Sequence, residues 1–241
     1  SLEEITDSKE AWELCNLKAD NPEQMAAKVR KQLALGSEPI RDICGLLEKC
    51  GIKVFPRTVN SEYFFGLSIG VADGGPAIAV NTWERIPVER WIFSAAHELG
   101  HILMHTDSFD INRQDEEEDQ EDEANRFAAH FLMPEALFDK AWDETRGQSF
   151  IDRVFKIKRM LRVSYATVLY RLQKKGYPRV WESFYSQYQR RYGQSLSRKD
   201  EPIPLAPDAF KVVENKASRE PKRLDNADFL EDRLSRLVRQ A

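Results

Sequence analysis

His97-Glu98-Leu99-Gly100-His101 places the residue types of a metal-assisted hydrolase within one helical turn and a half. On a helix, residues four apart share a face about 6 Å apart along the axis, so two imidazoles can grip one ion. Zinc accepts neutral histidine nitrogen readily, and a catalytic site leaves one of about four positions to water, whose pKa falls to roughly 7. Glu98 adjoins His97 in the chain and precedes His101 by one helical turn, so it stands beside the metal position rather than on it. It is therefore the candidate general base, taking the proton of the attacking water and passing it to the leaving amine.

These residues need a helix with a core on its other side. Pro87 opens such a segment, which reaches about His105. At roughly 100° per residue, Val88, Trp91, Ile92, Ala95, Leu99 and Ile102 form one apolar stripe, and His97, Glu98 and His101 gather opposite it. The histidines thus face a cleft or solvent. His105 shares their face but lies about 12 Å along the axis from His97, too far for both to bind one ion, and reads as a neighbour of the site.

A third ligand is expected from the acidic residues ahead of the next helix, residues 120–132. Spacing alone does not choose among them. Ala124, Phe127, Ala128, Phe131 and Leu132 define that helix's buried face, with Glu121 near its centre and Glu123 well off it. A carboxylate aimed at a core is costly unless paired or bound to a metal, which favours Glu121 as ligand and leaves Glu123 solvated. His130 falls on the outward face and reads as a surface residue. Tyr63, Tyr165 and Tyr170 are candidate donors to a developing oxyanion, and the sequence does not rank them.

Around this centre the period of the sequence changes. Asn21 and Pro22 start a helix that carries Met25, Val29 and Leu33 and stops at Gly36. Ser37 and Pro39 start a second, with Ile40, Ile43, Cys44 and Leu47 as its stripe and Gly51 as its stop. Three short β-rich segments follow, 52–55, 64–71 and 77–80, the last two joined by Asp73-Gly74-Gly75 as a hairpin. Residues 106–119 read as a polar loop, and Pro134 begins another helix. Helices are then expected at 150–161, at 165–174, with Ser164 as cap and Gly176 as stop, and at 180–192. The proline-bearing stretch 194–207 reads as a linker, and 227–238 as a closing amphipathic helix.

Composition bounds the rest. Lys plus Arg number 36 against 40 Asp plus Glu, a net charge of −4 that neither demands nor excludes a nucleic-acid partner. No apolar run approaches the ~18 to 20 residues of a spanning helix, and the start lacks the blocks of a signal peptide, so no membrane association and a cytoplasmic location are expected. Cys15, Cys44 and Cys50 lack paired spacing and read as buried free thiols of a reducing compartment. The run 115–123 is almost wholly acidic, as in a solvated loop that beside a cleft could select a basic substrate.

The segment Arg90, Phe93, Ser94, Ala96, His97, Glu98, His101 and the later Glu121, Ala124, Asn125, Phe127, Ala128, Ala129, Leu132, Met133, Pro134 agree in order and spacing with a known pattern. They resemble the ImmA/IrrE family of metallo-endopeptidases, and the likeness extends over about 21–176. The resemblance implies Zn2+ held by His97, His101 and Glu121, with Asn125 supporting a ligand histidine and Glu98 catalytic. It further implies a protein substrate, a cognate helix-turn-helix repressor whose cleavage releases genes of mobile elements or stress responses. Many members carry a repressor-like domain and none is visible ahead of Asn21; a longer chain trimmed at Ser1 would have had its partner in cis.

The expected fold is α+β: a mainly helical zincin-like metallopeptidase core with a small twisted β-sheet, followed by a helix-turn-helix-like and helical C-terminal part. Its expected divisions are an N-terminal extension (1–20), the metallopeptidase domain (21–147), the helix-turn-helix-like subdomain (148–193), and a linker with C-terminal helix (194–241). A rival function draws on Val163-Ser164-Tyr165-Ala166-Thr167 and on the eight Lys or Arg of residues 153–175, which carry no acidic residue. They suit a DNA-binding regulator whose zinc is structural or regulatory.

Overall fold

The computed structural model describes residues 13–71, 74–105, 118–196, 201 and 229. Residues 106–117 of the expected loop at 106–119, the first twelve residues, most of the linker and the helix at 227–238 lie outside these, apart from Phe229; residues 118 and 119 already belong to the next helix.

Local chemistry sets the first elements. Helix α1 (Pro22–Gln32) starts where Asn21 Oδ1 accepts the Gln24 N–H at 2.9 Å, and buries Met25, Ala26 and Val29. It stops before Gly36 is reached, Ala34 taking a left-handed φ of 51°. Helix α2 (Ile43–Lys49) also starts later than Ser37-Pro39 implied, at the Asp42 cap on Gly45 N. The reason is Arg30, whose buried guanidinium donates to the Gly36 and Glu38 carbonyls at 2.9 and 2.6 Å and commits that stretch to a loop. A third bond, to Phe131 O at 2.9 Å, ties the loop to the helix that carries Glu121.

Strands β1 (Lys53–Arg57), β2 (Gly66–Ile69) and β3 (Ala77–Asn81) form a mixed sheet in the order β1-β3-β2. The expected hairpin pairs β2 with β3 antiparallel, Gly66 opposite Val80 and Ile69 opposite Ala77. β1 lies parallel to β3, Lys53 opposite Ala77 and Arg57 opposite Asn81. Fully buried Asn81 pins the connection between β1 and β2: its amide donates to the Val59 and Phe64 carbonyls and its Oδ1 accepts from Val59 N.

Helix α3 (Val88–Met104) lies against β2 and β3 with its expected apolar stripe buried throughout. Helix α4 (Glu118–Leu132) packs on it antiparallel, since His97 meets Asn125 while His101 meets Glu121. Gly100 permits the close approach, for a Cβ there would stand 3.1 Å from the Phe127 ring and 3.3 Å from Ala124 Cα.

Four helices complete the body: α5 (Glu135–Glu144), α6 (Phe150–Leu161), α7 (Tyr165–Lys174) and α8 (Val180–Tyr192). Ser149 caps α6 and Ser164 caps α7, whose Thr167 N–H reaches the Ser164 hydroxyl at 3.0 Å. Arg162, at φ 55°, turns the chain between them. Tyr165 stacks on Phe184 at 4.8 Å between ring centres and seats α8 on this pair. Buried Lys158 of α6 meets Glu89 of α3 at 2.5 Å and Glu201 at 3.0 Å, and Phe229 lies edge-on to Trp91 at 5.8 Å. The architecture is the expected α+β, mainly helical with a small sheet and a helical C-terminal part.

Candidate metal centre

Helix geometry alone brings the first two side chains together: His97 Nε2 and His101 Nε2 stand 3.0 Å apart. From α4, Glu121 Oε1 lies 3.1 Å from His101 Nε2 and Oε2 lies 3.4 Å from His97 Nε2. Among the described residues this is the group of His, Cys, Asp or Glu side chains arranged to hold a metal ion. Zinc–nitrogen bonds of about 2.0–2.1 Å in a tetrahedron give ligand-to-ligand edges of about 3.3–3.4 Å, close to these separations.

The chemistry of the donor set agrees. His97 Nδ1 lies 3.1 Å from Asn125 Oδ1, so a neutral His97 ring donates there and leaves Nε2 bare. Burial, the largest influence, lowers the proton affinity of both imidazoles against the pull of Glu121, and for His101 the neighbouring His97 lowers it further, to about 4. Neutral rings and a carboxylate then point lone pairs at one spot, an arrangement that a cation relieves.

Glu98 departs from the sequence expectation in its setting. It shares the histidines' side of α3, yet it is buried, because β2 crosses there: Ser68 Oγ donates to Glu98 Oε2 at 2.7 Å. A Cβ at Gly66 would stand 2.7 Å from Glu98 Oε1, so only glycine lets the strand pass this close. Ser68 and Gly66 were missed from the sequence because nothing in the register of an unpaired strand says which side chain it will meet.

The burial argument for Glu121 is corrected. Its side chain is 40% exposed, in the first turn of α4, and faces the histidines from the rim rather than from the core. Glu123 is not merely solvated: its Oε2 lies 3.0 Å from His105 Nε2. His105 is buried, and its Nδ1 lies 3.0 Å from His101 Nδ1. His130 is half-buried, 4.0 Å from Glu23, rather than a surface residue. Arg90, another motif residue, lays its guanidinium over Phe65 at 4.2 Å and Phe93 at 5.7 Å, close enough for its charge to lower the proton affinity of His97. Of the tyrosines, Tyr63 is almost fully exposed, Tyr165 is fully buried beneath Phe184, and Tyr170 lies edge-on to Trp181.

The basic stretch behind the rival reading is largely engaged within the protein. Arg171 is buried and donates to Met133 O, Arg153 lies 3.5 Å above the Trp142 ring, and Lys175 pairs with Glu135 and Asp139. Lys158 is internal, and Arg162 donates to the Arg41 carbonyl. Cys44 and Cys50 are buried and Cys15 is half-buried, and none of the three is in a disulfide. No helix among the described residues is long and apolar enough to cross a membrane.

A helix-borne His-Glu-x-x-His pair completed by a carboxylate from the next helix, beside a small sheet, defines a metallopeptidase-like fold. Residues 47–173, more than half of the chain, match the family model of peptidase M78, described as an IrrE N-terminal-like domain, and the chain belongs to that family. Among solved structures it is similar to a Mycobacterium tuberculosis transcriptional regulator at 20% identity and a TM-score of 0.41, over 66% of this chain and 47% of that one. No curated protein matches the chain.

Proposed function

We propose that the chain is a zinc-dependent endopeptidase that hydrolyses a peptide bond in a protein substrate, a helix-turn-helix transcriptional repressor. The observation that carries this reading is the meeting of His97 Nε2 and His101 Nε2, 3.0 Å apart, with the Glu121 carboxylate, whose Oε1 lies 3.1 Å from His101 and Oε2 3.4 Å from His97. His97, His101 and Glu121 hold the ion, and Asn125 fixes the His97 ring. Bound zinc supplies Lewis acidity toward the scissile carbonyl and lowers the pKa of water.

The protein's own part is proton transfer and positioning. Glu98 takes a proton from the water that attacks the carbonyl carbon and delivers it to the amide nitrogen as the C–N bond breaks. Ser68 keeps that carboxylate turned toward the sheet side of α3 through Oε2. In this reading 21–147 is the peptidase domain and the helices after it are its helical annex, and the protein acts in the cytoplasm on regulators of stress-response or mobile-element genes.

The deciding experiment incubates the protein with repressors encoded beside its gene, with and without a chelator, and identifies fragments by mass spectrometry. Chelator-sensitive cleavage at one bond is the expected result. No cleavage of any such repressor by the zinc-loaded protein overturns the proposed substrate class.

A further inference from the structure

His105 follows His101 by one helical turn, too distant from His97 to share its ion, yet it is buried and in line with the site. Two contacts define its place: Nδ1 to His101 Nδ1 at 3.0 Å, and Nε2 to Glu123 Oε2 at 3.0 Å. An ionised carboxylate only accepts, so His105 carries its proton on Nε2 and donates it to Glu123. A neutral ring protonated there presents a lone pair at Nδ1. The proton between the two Nδ1 atoms therefore belongs to His101, which leaves His101 Nε2 bare and aimed at His97 and Glu121.

We propose that His105 and Glu123 are the positioning pair of the metal site, a carboxylate–imidazole–imidazole chain that fixes the tautomer and ring plane of His101 as Asn125 does for His97. This rests on the zinc reading above. Partners of this kind hold ligand rings in register and raise their basicity, and their loss typically costs about 10–100-fold in metal affinity. The two ligand histidines are thus served differently. An amide oxygen on α4 supports the Nδ1 of His97 directly, whereas the Nδ1 of His101 meets His105, the residue that ends α3, and α4 reaches that nitrogen through Glu123 on His105.

The test measures zinc affinity by chelator competition, with circular dichroism of each metal-free variant to confirm folding. His105→Phe, which keeps the buried volume but has no acceptor, should weaken zinc about 10–100-fold. His105→Asn, which returns an acceptor near the Nδ1 position, should recover much of the loss. Glu123→Ala, at a half-exposed side chain with little to contribute to folding, should weaken zinc in the wild-type background and add nothing to His105→Phe. Long-range proton–nitrogen NMR on the metal-free protein should find His101 protonated on Nδ1 and His105 on Nε2. Wild-type zinc affinity in Glu123→Ala, or His105 protonated on Nδ1, overturns the positioning role and leaves the zinc reading intact. Absence of zinc uptake by the wild-type chain overturns both.

Discussion

At the residue scale, Glu98 separates holding a metal from using one. Glu98→Gln keeps the size of the side chain and a hydrogen-bond acceptor for Ser68 but loses the base. Zinc content by atomic absorption should stay at the wild-type level while cleavage falls by at least about 100-fold, in line with the usual contribution of a general base. Wild-type cleavage by that variant refutes the role given to Glu98. His101→Ala should instead lose both metal and activity. Ser68→Ala removes the hydroxyl that holds Glu98 Oε2 and should lower kcat with zinc content unchanged.

The element scale explains why a carboxylate from another helix reaches the histidines at all. α3 and α4 touch across Gly100, and the first turn of α4 can present Glu121 only because nothing larger separates the helices there. Gly100→Val should move α4 outward and weaken zinc by an order of magnitude or more in a chelator titration, while a helix-promoting Gly100→Ala should do less harm. Zinc binding undiminished in the valine variant contradicts this view of the interface. The caps act more locally. Ser164→Ala removes the hydroxyl that accepts from Thr167 N and should cost about 1 kcal/mol in denaturant unfolding, with the metal site unaffected.

Across the whole molecule, α6 is joined to α3 by buried charge. Lys158 of α6 meets Glu89 of α3 and Glu201, all three nearly inaccessible. Lys158→Ala leaves two buried carboxylates without that cation and should cost about 3–5 kcal/mol at neutral pH. Burial, reinforced by Glu89 and opposed by Lys158, pushes Glu201 up to about 7. Its unfolded value is near 4.3, so the folded state holds that proton more tightly. The stability linked to it is full below the unfolded value and is lost as pH rises through about 7. Glu201→Gln should therefore gain on the wild type between pH 4.5 and 7 and hold a constant difference above; a difference that does not change with pH rules out this titration.

The sequence by itself determined the elements and the chemistry of the metal helix. His97, Glu98 and His101 were legible because a helix turns a four-residue spacing into a shared face, and the apolar stripe opposite them showed that the helix had a core to rest on. The bounds of α6, α7 and α8 were legible because cap and stop residues such as Ser164 and Gly176 interrupt the periodic pattern locally. The tertiary structure decided everything that depends on a second element. Glu121 came forward in the sequence for a burial it does not have; its place follows from the antiparallel contact of α3 and α4. Ser68 and Gly66 reach Glu98 through sheet register, Glu123 reaches His105 across the same helix pair, and Arg30 ties the loop it shapes to Phe131 of α4. Local periodicity carries a residue's own face, but not the identity of what packs against it.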